Sequence, residues 1–299
     1  MSKEIPSSPS AKPVDFEHLI SEYIARFPKE MEILEIGGVF PGKKAEPIEN
    51  PYTGETETLY FGNTGEHCVA VARCSEILAG KILGVDNPQT KKIVARALVH
   101  DSAKRYEILR SKALKEGKID DAYSPSAYET IRPILKNEGV PQDIIESMVH
   151  AGQETGHNSF ASFVESKDGK TALKTDNNLA EMIVHLADDM TYSPIVEEGE
   201  KVETLFLTTE ERMKASNFPE RYPFLYKEGF GFDQNGNVVF IKDIAEKYSD
   251  LIDVRTYADW QVWLAEQISA HLVSLMPVSE RVENPQKYLK QLVNGNLIS

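Results

Sequence analysis

The strongest constraint on this chain is a succession of amphipathic segments in which apolar residues recur at spacings of three and four. That period places them along one face of an α-helix. The pattern begins within 14–27, where Phe16, Leu19, Ile20, Tyr23 and Ile24 form such a face. It predicts further helices over 65–83, 89–114, 124–137, 141–151 and 176–190. Asn87 and Thr90 are candidate caps for the second of these, Ser124 with Pro125 opens the third, and Pro141 stands where a first-turn proline is tolerated. Helices that each carry one apolar face bury it by packing on one another, so the expected fold is mainly α, a helical bundle.

The flanks read differently. Residues 1–13, rich in Ser, Pro and Lys, have almost nothing to bury and read as a disordered tail. Residues 14–64 hold the first helix and an irregular connection crowded with Gly, Pro, Asn and Thr, with room for a short strand or two. The core covers 65–195, and its polar stretch KEGKIDDAYSP reads as a rim or lid loop. Residues 196–299 read as a C-terminal elaboration packed on that core. It contains a helix near 209–217, the aromatic-rich SNFPERYPFLYKEGFGF, helices near 241–250 and 256–275, and GFGFDQNGNVVFI, whose alternation about Asn-Gly predicts a small β-hairpin.

A chain of 299 residues, 41% hydrophobic, buries a sizeable core. Its apolar runs fall short of the roughly 20 residues that a bilayer span needs, and its N-terminus lacks the apolar centre of a signal peptide. A cytoplasmic protein with no membrane partner is expected. The net charge of −14 argues against sequence-specific nucleic-acid binding, which relies on a basic stripe. It does not argue against a small anionic substrate, because a metal and a few local cations can reverse the sign of a pocket. Cys68 and Cys74 lie in one predicted helix without metal-knuckle spacing and read as small buried hydrophobes. A homo-oligomer is left open.

Four positions carry the candidate chemistry: His67, the adjacent pair His100 and Asp101, and Asp188. Mixed imidazole and carboxylate donors suit a divalent transition metal, and a bundle can project them from facing helices to one interior point. Adjacent residues leave a helix about 100° apart, which suits His100 and Asp101 to one ion or a pair. Lys104 follows them by four and three, on the same side. Asp189 competes with Asp188, since a register shift of one would exchange them. His185, one turn before Asp188, reads as a ligand, a supporting partner or a packed histidine. Arg105 and Arg132 are further cations for the pocket's surroundings.

The order of these residues, His in GEHCVAVARCSEILAG, His-Asp in ALVHDSAK and Asp in MIVHLADDM, resembles the HD superfamily of metal-dependent phosphohydrolases over about 130 residues, from near Gly65 to Tyr192. The resemblance implies an HD-type helical core, with His67, His100, Asp101 and Asp188 holding one or two ions of Mn, Fe, Co, Ni or Zn. It implies that Lys104, in HDSAK, contacts substrate phosphate, and that the activity is hydrolysis of a phosphate ester or anhydride in a nucleotide or small phosphorylated metabolite. Asp101 would orient the attacking water and His150 would protonate the leaving oxygen. His150 and His157, in VHAGQETGHNSF, fall where members carry additional histidines. That segment is similar to the HD-GYP phosphodiesterases but departs from them: Ala151 replaces their second histidine and Gly-Tyr-Pro is missing, so cyclic dinucleotides are not supported. Two other readings stand beside hydrolysis. One is a di-iron oxygenase of the HD type, which would recruit His150 and His157 as ligands; the other is a non-catalytic interaction protein with a structural metal and an aromatic binding surface near 218–232.

Overall fold

The computed structural model describes residues 16–42, 47–58, 63–155, 160–175, 179–194, 204–228, 230–232, 238–240, 250, 256–278 and 282–296. The fold is mainly helical with a few short two-stranded antiparallel sheets. Helices α1 (Phe16–Arg26) and α2 (Pro28–Ile36) lead to the pair β1 (Ile48–Glu49) and β2 (Thr56–Glu57). Then come α3 (Thr64–Leu83), α4 (Pro88–Val99), α5 (Lys104–Lys115), α6 (Ala127–Asn137), α7 (Gln142–Thr155) and the single turn α8 (Phe160–Phe163). A hairpin of β3 (Val164–Lys167) and β4 (Lys170–Leu173) precedes α9 (Leu179–Met190). The expected tail at 1–13 and, apart from Asp250, the expected helix near 241–250 lie outside the described residues.

Helix α3 is the centre of the bundle. Cys68, Val69, Ala70, Val71, Ala72, Cys74, Leu78 and Ala79 are all fully buried, so the helix is covered on every side, mainly by α4 and α9. Both cysteines are free and buried, as small apolar residues would be. The buried charged residue of α3 is Glu76. It accepts from the Tyr23 hydroxyl at 3.2 Å and from Arg73 at 3.0 Å, and pairs with Arg26 of α1. Burial would raise its carboxyl pKa, but the two guanidinium groups outweigh burial and lower it. Glu76→Gln should therefore cost about 1–3 kcal/mol at neutral pH by weakening charge-assisted bonds. A depressed folded pKa contributes stability above the ordinary glutamate range and loses it as pH falls through the folded value. The deficit of Glu76→Gln, read by urea unfolding, should accordingly shrink in acid; a deficit equal at pH 7 and pH 3 would refute the charge argument.

After α9 the chain folds back on the core. Strand β5 (Thr191–Tyr192) pairs with β6 (Leu205–Phe206), and Leu207 N–H donates to Met190 O at 2.8 Å. Helix α10 (Thr209–Ala215) follows, closed by a reciprocal cap between Thr208 and Glu211. Then come α11 (Phe218–Arg221), the hairpin β7 (Phe230–Phe232) and β8 (Val238–Phe240), α12 (Tyr257–Ser274) and α13 (Pro285–Asn296). The hairpin is the one that the Asn-Gly alternation predicts, with Phe230 opposite Phe240. Trp260, Leu264, Ile268 and Leu272 of α12 and Leu289 and Val293 of α13 join the same apolar core as α3 and α9. Among the described residues no helix is long and apolar enough to cross a membrane.

Candidate metal centre

The expected helix over 89–114 is two helices. Asn87 caps the first, its side chain accepting from Gln89 N–H at 2.9 Å, and that helix ends at Val99. Residues 100–103 form turns, and α5 starts at Lys104. The Ser102 hydroxyl donates to Val99 O at 2.7 Å, where a continuing helix would place a backbone N–H. Gly37, at the end of α2, presses on the same turn: a Cβ there would lie 2.3 Å from Ser102 O. His100 and Asp101 thus stand on a short corner between helices, backed by a glycine. A second close approach braces α3, since a Cβ on Gly65 would meet Val39 O at 2.3 Å. The expected start of α6 also moves, because Ser126 and Glu129 form its cap while Arg110 holds the Ser124 and Pro125 carbonyls in the preceding loop.

Gly37→Ala should push the His100–Asp101 corner outward, costing about 1–3 kcal/mol as an overpacking change. It should also weaken metal uptake, although residue 37 offers no ligand. Thermal unfolding together with a metal titration checks both; wild-type values in both would show that the corner does not need the glycine.

Three elements converge here. His67 comes from α3, His100 from the corner and Asp188 from α9, and one ligand atom of each lies within 4.8 Å of the others. His67 Nε2 is 2.9 Å from Asp188 Oδ1, His100 Nε2 is 3.8 Å from the same oxygen, and the two rings are 5.4 Å apart. His100 Nδ1 bonds Ala97 O at 2.7 Å, which assigns the proton to Nδ1 and turns Nε2 toward Asp188. Nε2 is buried and makes no hydrogen bond, an arrangement that costs free energy unless something else fills its lone pair. The donor set and this orphaned nitrogen could hold a metal ion. Burial would lower the His100 pKa, but the adjoining Cys68 thiol and the Asp101 and Asp188 carboxylates raise it to about 10, so an ion taking the Nε2 lone pair displaces a proton there. Burial would raise the Asp188 carboxyl, but the His67 bond and the Arg212 and His100 charges hold it far below its ordinary value.

Asp101 lies outside that group of three, with its carboxylate 3.6 Å from Lys104 Nζ and in the field of both histidines and Asp188. Lys104 also pairs with Glu107 at 3.3 Å, and these two acids hold its ammonium firmly charged. Asp189 is claimed by another partner, accepting from Gln261 of α12 at 2.9 Å. His185 goes with it, 3.6 Å from Asp189 and stacked on Phe163, so neither joins the group. His150 is exposed on α7, where Glu146 and Glu181 feel its charge, and it also stays outside. His157 lies outside the described residues. Arg105 is buried against Gly38, and Arg132 pairs with Glu146.

Two residues reach this region without any sequence signal. Tyr128 of α6 is in the field of Glu107, Asp101 and Lys104, and its hydroxyl occupies the space that a Cβ on Gly152 would take. Arg212 of α10 brings NH2 to 3.8 Å from Asp188 Oδ1. Set against known proteins, the chain matches no family model, no curated protein and no solved structure.

Proposed function

We propose that this protein is a metal-dependent hydrolase of a phosphate ester or anhydride, of the HD type that the order of His67, His100, Asp101 and Asp188 resembles. The observation that carries the reading is the convergence of His67, His100 and Asp188 on one point, with His100 Nε2 buried and unbonded. These three residues would hold the ion, and Asp101 borders them. When bound, a divalent metal supplies Lewis-acid chemistry, acidifying water and screening phosphoryl charge.

The chain's own groups supply the rest. Asp101 is available to orient water through a hydrogen bond, since its neighbours hold it as a carboxylate. Lys104, half-exposed beside Asp101, offers a fixed positive charge to phosphoryl oxygens. His150, exposed on α7, joins neither as the expected acid nor as an oxygenase ligand, and the oxygenase reading has less support because Lys104 beside Asp101 serves hydrolysis. A purely structural metal gives no role to Lys104. The test is metal analysis of the purified protein with a phosphate-release screen over nucleotides and small phosphate esters. Bound transition metal with metal-dependent phosphate release is expected; protein that holds no metal, or that holds redox-active iron and consumes dioxygen, would overturn the reading.

A further inference from the structure

Arg212 is an unexpected neighbour for a cation-binding group. A guanidinium within 4 Å of a metal-binding carboxylate repels the incoming ion, so its presence calls for a compensating role. Its long ion pairs to the two aspartates leave the hydrogen-bonding capacity of the guanidinium tips unused. Its NH2 lies 3.8 Å from Asp188 Oδ1 and its NH1 3.7 Å from Asp189 Oδ1, both beyond hydrogen-bond distance. Each oxygen already has a closer donor, His67 at 2.9 Å for Asp188 and Gln261 at 2.9 Å for Asp189. The firm attachment is elsewhere: Nε donates to Thr191 O at 3.1 Å, fixing the guanidinium plane to the end of α9. Helix α10 is itself held by its Thr208–Glu211 cap and by Lys290 of α13, 2.7 Å from Glu211. Phe218 flanks the group, 5.9 Å from the guanidinium carbon. The side chain is 16% exposed, so a small ligand can reach it.

We infer that Arg212 is an anion-binding residue of the centre, donating Nη1 and Nη2 to phosphoryl oxygens of the substrate as a second cation beside Lys104. The inference rests on the hydrolase reading and extends it. It gives the C-terminal segment a part in the site: α10 supplies a planar, two-pronged donor that matches a phosphoryl group better than a second lysine would. Arginine here also balances two adjoining carboxylates, Asp188 and Asp189, against an anionic ligand.

The test is calorimetric titration of the full chain with inorganic phosphate, with and without Mn2+, for wild type, Arg212→Met and Arg212→Lys. Arg212→Met should bind phosphate at least about tenfold more weakly, having lost charge-assisted hydrogen bonds, and Arg212→Lys should fall between. Affinity for Mn2+ should be unchanged or higher in Arg212→Met, since a repelling charge is gone. An Arg212 that only ties α10 to α9 would instead lower melting temperature and Mn2+ affinity together, with phosphate affinity unchanged in loaded protein, and that result overturns the inference. If wild type takes up no metal, the hydrolase reading fails on its own. The inference is then judged on the metal-free titrations, where phosphate binding that is undetectable, or equal in wild type and Arg212→Met, overturns it.

Discussion

Asp188→Ala should weaken divalent-metal binding by about 100-fold or more, whereas Asp189→Asn should leave it within a few fold of wild type. Structural sites with four ligands are worth about 10–16 kcal/mol, so one ligand carries about 3 kcal/mol, which sets the scale of the first loss. Asp188 Oδ1 is the atom that both imidazoles approach, so its removal takes away the one anionic donor of the group of three. It also removes one of the two carboxylates that Arg212 approaches. The neighbouring aspartate is a strict control, because it shares the helix end and the chemistry but points at Gln261. Asp189→Asn keeps the shape and should register chiefly as a stability change read by urea unfolding. Equal loss of metal in both variants, or full occupancy in Asp188→Ala measured by equilibrium dialysis, would disprove the assignment.

That contrast also shows where sequence reasoning reaches and where it stops. Helices α3 and α9 are legible because burial on nearly every side leaves long apolar runs, and His67 and Asp188 are visible as polar breaks in those runs. Choosing between Asp188 and Asp189 is not, since adjacent aspartates differ only in which partner each faces, and the partner that claims Asp189 lies 72 residues away. The end of α4 at Val99 is hidden for a similar reason. The apolar period runs through Leu98 and Val99 into Tyr106 and Leu109, all buried, while the causes of the break are one hydroxyl and the approach of Gly37. Arg212 has no spacing relation to the motif at all. It reaches Asp188 only because β6 pairs with β5 and turns α10 back over the end of α9.

Lys104→Met should leave folding and metal content nearly unchanged while slowing phosphate release by about 30-fold to 1000-fold. The lysine is the first residue of α5, with its side chain 41% exposed, so methionine keeps the aliphatic stem and empties no core space. Its ammonium contacts Asp101 at 3.6 Å and Glu107 at 3.3 Å, surface-type pairs whose loss costs at most about 1 kcal/mol. The catalytic effect is larger because a fixed charge facing a phosphoryl group acts on the transition state, where one such contact is worth about 2–4 kcal/mol. Removing the cation also leaves Asp101 less balanced, which favours metal binding if anything, so a fall in rate could not be blamed on an empty site. Steady-state kinetics on the substrate that the phosphate-release screen identifies, with metal measured on the same preparation, decides the matter. A wild-type rate at wild-type occupancy would confine Lys104 to pairing with Asp101 and Glu107, and would remove the residue that most favours hydrolysis over oxygen chemistry at this centre.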